Sequence, residues 1–247
     1  MDRKRFGWFL ILLLYMGTVS AQDLDEQERR WAVSGSWGGT WPVITKNTLS
    51  EKAAASGSMH TIMLEYYIPT TRFSLKGGYL SEEIRINPDI SASLSNLEVG
   101  GRYYLLPQRF IVQPYGGLTT GWNLSPRRES GTVSSYYYNV AKHAYLKDYD
   151  CHYQIKEPLF TVAPVVGADI YILSCLAFTV EYNFRMGVGG KITGEVERRN
   201  SSEIGIVGSK GMRHNLSIGL KINFPFTLTQ QDGNSILQWL DDVIFGN

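Results

Sequence analysis

Residues 213–224 read Arg-His-Asn-Leu-Ser-Ile-Gly-Leu-Lys-Ile-Asn-Phe, and no other segment constrains the fold as tightly. Successive side chains of a β-strand face opposite sides of its sheet. Leu216, Ile218, Leu220, Ile222 and Phe224 therefore share one face, and Arg213, Asn215, Ser217, Gly219, Lys221 and Asn223 the other. One face is wholly apolar and ends in an aromatic ring. The other is polar and carries two cations. A sheet of such strands needs apolar surroundings on one side and a polar filling on the other.

Seven earlier segments carry related patterns. Strands are expected at 31–41, 59–68, 72–81, 93–105, 110–123, 159–172 and 177–188, with the closing strand at 213–224. Their connections sort into two classes. The turns at 69–71, 106–109 and 173–176 are short, whereas all four connections at the opposite end are longer, and 124–158 is the longest. An even number of strands with short turns at one end and long loops at the other is the pattern of a bacterial outer-membrane barrel. Pro114 and Pro164 fall inside two of these strands, where proline removes a ladder hydrogen bond. Bulges at the neighbouring Gly116, Gly117 and Gly167 are the expected accommodation.

Alternation alone does not say which face is inside. A lipocalin-like barrel would enclose the apolar face, and Gly35-Ser-Trp37 is a Gly-x-Trp pattern such as that fold shows. Two features favour the membrane. Several expected strands exceed ten residues, longer than ordinary strands. Aromatic rings also gather near strand ends: Trp31, Trp41, Tyr66, Tyr79, Tyr103, Phe110, Trp122, Phe178, Phe184 and Phe224. The expected fold is all-β, a closed antiparallel eight-stranded transmembrane β-barrel at 31–224 followed by a short amphipathic helix.

The flanks fit an exported chain. A basic start, an apolar run from Phe6 to Met16 and small residues up to Ala21 read as a signal peptide at 1–21. Residues 22–30 read as a periplasmic tail and 225–247 as a periplasmic extension. In that extension, Ser235 with Gln238 resembles a capping box, and Ile236, Leu237, Leu240, Val243 and Ile244 follow helical spacing, so a helix is expected at 235–245. Formal charge is +1, too weak a field to recruit nucleic acid. Cys151 and Cys175 fall at opposite ends of an expected spanning strand, ~25 Å apart, which is beyond disulfide reach.

The stretch Val166-Gly-Ala-Asp-Ile-Tyr-Ile-Leu-Ser-Cys-Leu-Ala-Phe-Thr-Val-Glu-Tyr-Asn-Phe-Arg-Met-Gly187 resembles the sixth turn and seventh strand of OmpA/OmpX-like eight-stranded outer-membrane barrels. The closing strand with terminal Phe224 is similar to that family's assembly signal. The resemblance implies a bacterial outer-membrane protein with periplasmic termini. It implies no single activity, because the family includes adhesins, defence proteins, small enzymes and structural anchors. The chain departs from the family pattern by continuing past Phe224.

Two groups of residues are candidates for function. Glu65, Arg72, Lys76, Glu98, Arg102, Asp169, Glu181, Arg185 and Lys221 should face a narrow lumen and pair there, closing it to ions. Tyr136, Tyr137, Tyr138, Tyr145, Tyr149 and Tyr153 give the long loop 124–158 an interfacial composition. The four histidines, at positions 60, 143, 152 and 214, form neither a catalytic set with a serine nor a metal-ligand spacing. The expected function is thus non-enzymatic and cofactor-free: a structural or surface-interaction role, with outer-membrane lipid around the barrel and a protein partner at 124–158 or at the helix 235–245. A soluble lipocalin-like binder and a small lipid-modifying enzyme are the alternatives.

Overall fold

The computed structural model describes residues 29–48, 55–87, 90–107, 110–140, 143–198 and 204–225. The expected signal peptide, most of the amino-terminal tail and the expected helix at 235–245 lie outside these residues. The described chain forms eleven strands: β1 (Trp31–Asn47), β2 (Ser56–Tyr67), β3 (Phe73–Asn87), β4 (Ile90–Tyr104), β5 (Val112–Asn123), β6 (Arg128–Asn139), β7 (Ala144–Lys156), β8 (Phe160–Tyr171), β9 (Leu176–Val188), β10 (Lys191–Arg198) and β11 (Ile204–Phe224). All pair antiparallel.

Eight of them close a barrel in the order β1-β2-β3-β4-β5-β8-β9-β11, with β11 returning to β1. Phe224 sits opposite Trp31 and Arg30 N–H donates to Phe224 O, so the two ends of the barrel meet at one rim. This is the eight-stranded architecture expected from the resemblance, and every expected strand is present.

The apolar face is outside. Ile62, Leu64, Leu75, Val99, Leu118, Val166 and Leu220 are exposed on the barrel surface, whereas Arg185, Asp169 and Lys221 are buried within it. A barrel in water places these groups the other way round, so the lipocalin-like arrangement is excluded. Rings mark the rim near the termini: Trp31 packs on Tyr66 at 4.6 Å between centroids and Phe73 on Tyr103 at 4.8 Å.

Three corrections follow, the first two at the far end, here called distal. Residues 124–158 are not a loop but the hairpin β6–β7, and the connection after β9 contains β10. These three strands extend the sheet from the distal half of β11 in the order β11-β10-β7-β6. The expected long connection between β3 and β4 is also strand, since both run well past the barrel. Finally, Pro114 and Pro164 produce no bulge. The β5–β8 register runs unbroken from Val112↔Ile170 to Trp122↔Phe160, and only the ladder from β8 to β9 lapses, at Ala163 and Pro164. The glycines serve packing instead: a Cβ on Gly167 would sit 2.5 Å from the Tyr115 hydroxyl.

β11 spans 21 residues because its terminal half pairs with β9 and its distal half with β10, with β1 along its other side. Its register with β1 shifts beyond Pro42↔Arg213, close to Gly211, whose φ of +78° suits glycine and bends the strand between its two partners.

β4 shows why the distal strands were hard to read. In residues 97–103 the outward side chains Leu97, Val99 and Tyr103 are apolar and the inward Glu98 and Arg102 are charged. In residues 90–95 the outward side chains are Ser91, Ser93 and Ser95, and the inward ones Ile90, Ala92 and Leu94. The pairing with β3 continues without a slip from Arg85↔Ser91 to Phe73↔Tyr103. The alternation therefore inverts at Ser95–Asn96 because the medium outside changes from hydrocarbon to water. Above that level Ile84, Ile90, Ala92, Leu94, Cys151, Ile155, Ile192, Val196 and Val207 form an apolar core between the β3–β4 extension and β7, β10 and β11.

Leu220 lies on the lipid face of the barrel half of β11. Leu220→Arg should cost about 2–4 kcal/mol of folding free energy in a bilayer. Urea titration of the protein refolded into lipid vesicles measures it, and a loss under about 1 kcal/mol would contradict the lipid-facing assignment.

Candidate functional site

The lumen is filled by charge. Asp169 on β8, Lys221 on β11, Glu65 on β2, Arg102 on β4, Glu181 on β9 and Lys76 on β3 form a chain of alternating sign. Lys221 Nζ lies 2.5 Å from Asp169 Oδ2 and 2.8 Å from Glu65 Oε2. Arg102 Nη1 donates to Glu65 Oε2 at 2.8 Å and its Nη2 to Glu181 Oε2 at 2.5 Å. Lys76 Nζ closes the chain on Glu181 at 3.0 Å. Six barrel strands are tied together in this way.

Hydroxyls complete the shell. Ser74 Oγ donates to Glu65 Oε1 at 2.5 Å, Tyr115 to Glu181 Oε2 at 3.1 Å, and the Tyr104 hydroxyl lies 2.8 Å from Glu65 Oε1 and 3.0 Å from Asp169 Oδ2. The Arg102 guanidinium also stacks 4.3 Å from the Tyr115 ring centroid.

A second tier lies distal to the first. Arg185 pairs with Glu98 and donates to Thr161 Oγ1 at 3.2 Å. Arg213 grips Glu82 with two bonds of 2.6 Å, while Thr40 and Asn215 each donate to Glu82 Oε1 at 3.1 Å. Lys76, Arg102, Arg185, Arg213 and Lys221 thus face Glu65, Glu82, Glu98, Asp169 and Glu181, five against five. Between the tiers remains about 20 Å³ of free space, room for roughly one water.

Eight of the nine expected lumen residues meet here. Arg72 does not. β3 begins one residue later, so Arg72 belongs to the preceding turn, exposed at the terminal rim, where its Nη1 donates to Leu105 O at 3.2 Å. Glu82 and Arg213 were missed as a pair. Arg213 lay on the polar face of the closing strand, but Glu82 lies beyond the expected end of strand three. The signal available was parity, since Glu82 follows Lys76 at an even spacing.

The second candidate site is the distal hairpin. Tyr136, Tyr137, Tyr138 and Tyr145 are exposed at its tip, with Tyr138 and Tyr145 in edge contact at 5.2 Å. Tyr149 and Tyr153 correct the expectation, for they pack against the apolar core and are partly buried. Tyr153 also donates to Glu129 Oε1 at 2.9 Å, and this carboxylate raises its phenol pKa. Lys147, 2.6 Å from Asp150, and the Ser134 hydroxyl hold the Asp150 carboxyl below its usual range. Cys151 in the core and Cys175 in the β8–β9 turn form no disulfide with each other.

Histidines 60 and 214 lie on the exterior, on strands separated by β1. His214 Nδ1 is 2.7 Å from the Tyr182 hydroxyl. His152 Nδ1 is 2.7 Å from Thr132 Oγ1 on the outer face of the distal sheet.

The pairing of Glu82 with Arg213 can be tested as a unit. Arg213→Leu alone should destabilise the barrel by about 3–5 kcal/mol, because a buried carboxylate loses its partner. Adding Glu82→Leu should recover most of that loss, as measured by urea titration in the same vesicles. Equal loss in the single and double variants would contradict a paired, dry lumen.

No protein-family model and no curated protein matches the chain. Among solved structures the chain is similar to Neisserial surface protein A, at 14% identity and a TM-score of 0.47 over 78% of this chain and 97% of that one. It is also similar to the outer membrane protein OprG from Pseudomonas aeruginosa, at 11% identity and a TM-score of 0.40 over 79% of this chain and 96% of that one. A major outer membrane protein from Thermus thermophilus matches at 11% identity and a TM-score of 0.44 over 80% of this chain and all of that one.

Proposed function

We propose that this protein is a sealed, non-enzymatic barrel of a bacterial outer membrane that holds a rigid sheet outside the cell for contact with another protein. The observation that carries the reading is the composition and placement of the hairpin tip. Tyr136, Tyr137, Tyr138, Val140 and Tyr145 are each between 46% and 73% exposed, a clustered apolar surface of the kind that marks an interaction site. They stand on β6–β7, whose base is anchored through Cys151 and Ile155 in the distal core. A partner would therefore meet tyrosines on a pre-organised strand pair, not on a loop that must order on binding.

The orientation follows from assembly. With both barrel ends at one rim, the distal sheet lies on the opposite side of the membrane from the termini. An exported chain inserting from the periplasm leaves its termini there and its distal sheet outside the cell.

The lumen supports a structural role. Two tiers of ion pairs and an apolar core lie in series along the axis, and the space between them is too small for a hydrated ion. Planar-bilayer recordings should show no steady conductance at neutral pH, and ohmic steps would overturn the sealed-barrel reading.

The hairpin is tested by replacing Tyr136, Tyr137, Tyr138 and Tyr145 with serine. Whole cells bearing the wild-type protein should retain a soluble protein partner, and those bearing the variant should lose at least tenfold in apparent affinity. Hot-spot tyrosines typically contribute about 2 kcal/mol each, more than enough for that change. Unchanged capture by the variant, with equal surface display, would move the contact elsewhere.

A further inference from the structure

The base of the distal sheet carries an arrangement that neither the lumen nor the tyrosine tip explains. Arg128 on β6 is the register partner of Lys156 on β7, and Lys156 is the register partner of Lys191 on β10. The three cations stand abreast on one exposed face of three adjacent strands. Neighbouring strands are about 4.8 Å apart, and like charges placed directly opposite destabilise a sheet. No described carboxylate forms an ion pair with any of the three. The nearby Glu157 is buried, its Oε2 accepting from Asn123 Nδ2 and Arg127 N–H. Such a row favours an anion placed between its members.

Its level in the membrane identifies the anion. Trp122, Phe160 and Val188 are register partners on the barrel exterior and exposed, and between them and the basic row only Leu124 and Leu159 add exposed apolar side chains. A hollow of about 320 Å³ joins the two levels, with Arg127, Arg128 and Lys156 above and Leu159 and Val188 below. On the opposite side of the barrel the positions just distal to the apolar belt are neutral, Ser81 facing Ser95. Farther out on the same face of the distal sheet the sign reverses, with Asp150 opposite Glu197. The cations are thus confined to one depth and one flank.

We infer that this basic row and the hollow beneath it bind the phosphate-bearing headgroup of a lipid in the adjoining leaflet. Arg128, Lys156 and Lys191 would donate charge-assisted hydrogen bonds to phosphate oxygens, and Leu159 and Val188 would receive the first part of an acyl chain. The apolar floor is what selects a lipid over free phosphate. The site is independent of any partner of the tyrosine tip.

Native mass spectrometry of the folded protein in a neutral detergent tests this, with phosphatidic acid and phosphatidylcholine of identical chains as probes. The wild type should retain phosphatidic acid in preference to phosphatidylcholine. Arg128→Gln/Lys156→Gln/Lys191→Gln should lose that preference by at least roughly tenfold, given about 1 kcal/mol per cation near an anionic headgroup. The equally charge-reduced control Lys46→Gln/Arg72→Gln/Arg85→Gln, whose sites lie away from the row, should behave as wild type. All three proteins should keep the heat-modifiable migration of a folded barrel, because every substituted side chain is exposed. Equal retention by wild type and the row variant, or equal loss in row and control variants, would overturn the site. Displacement of the lipid by equimolar inorganic phosphate would overturn its assignment to a lipid.

Discussion

Everything else in this barrel depends on neutralising charge in a dry interior. The ten charged groups that pair inside the lumen among the described residues would be prohibitively costly if left singly, since each loses its hydration and regains it only through a partner. The chain answers with five cations against five anions, arranged so that nearly every charge touches one of opposite sign. The partners come from different strands, often far apart in sequence, as Glu82 and Arg213 do. The lumen therefore acts as a register lock. A strand slipped by one residue would turn its charge to the lipid and leave a partner uncompensated inside.

The same strands solve a second problem outside the membrane by inverting their pattern. Within the lipid belt the apolar side chains face out, and beyond it they face in and build a small core of ordinary aliphatic character. β3, β4 and β11 each pass through both regimes as continuous strands. This continuity holds β6, β7 and β10 on a barrel whose strand register is fixed by charge pairing. The tyrosine tip inherits that support, and the basic row marks the level at which one regime gives way to the other.

Much of this was legible in the sequence, and the largest failures share one physical origin. The eight barrel strands, their facing and eight of the lumen charges followed from a period of two with apolar outward. Searching for that pattern alone ends strand three at Ser81 and begins strand four at Ser93, because Ile84, Ile90, Ala92 and Leu94 then fall on the wrong face. The hairpin β6–β7 was read as a loop for the same reason. Its inward Cys151 and Ile155 alternate with Asp150, His152 and Gln154 in the sense of a water-exposed sheet, opposite to the sense the barrel strands had set. Arg72 erred by one residue at a strand end, and Tyr149 and Tyr153 were counted with the tip because composition does not report facing.

The measurement that tests this account most directly is a depth profile along β4. Single spin-labelled cysteines at positions 91, 93, 95, 97, 99 and 103, in a Cys151→Ala/Cys175→Ala background, would be compared for collision with oxygen, which partitions into lipid, and with a water-soluble nickel chelate. Outward positions 97, 99 and 103 should favour oxygen, whereas 91 and 93 should favour nickel, with the crossover at 95–97. A profile that stays lipid-like through position 91, or water-like through position 99, would contradict a single strand that crosses from hydrocarbon to water and inverts its pattern there.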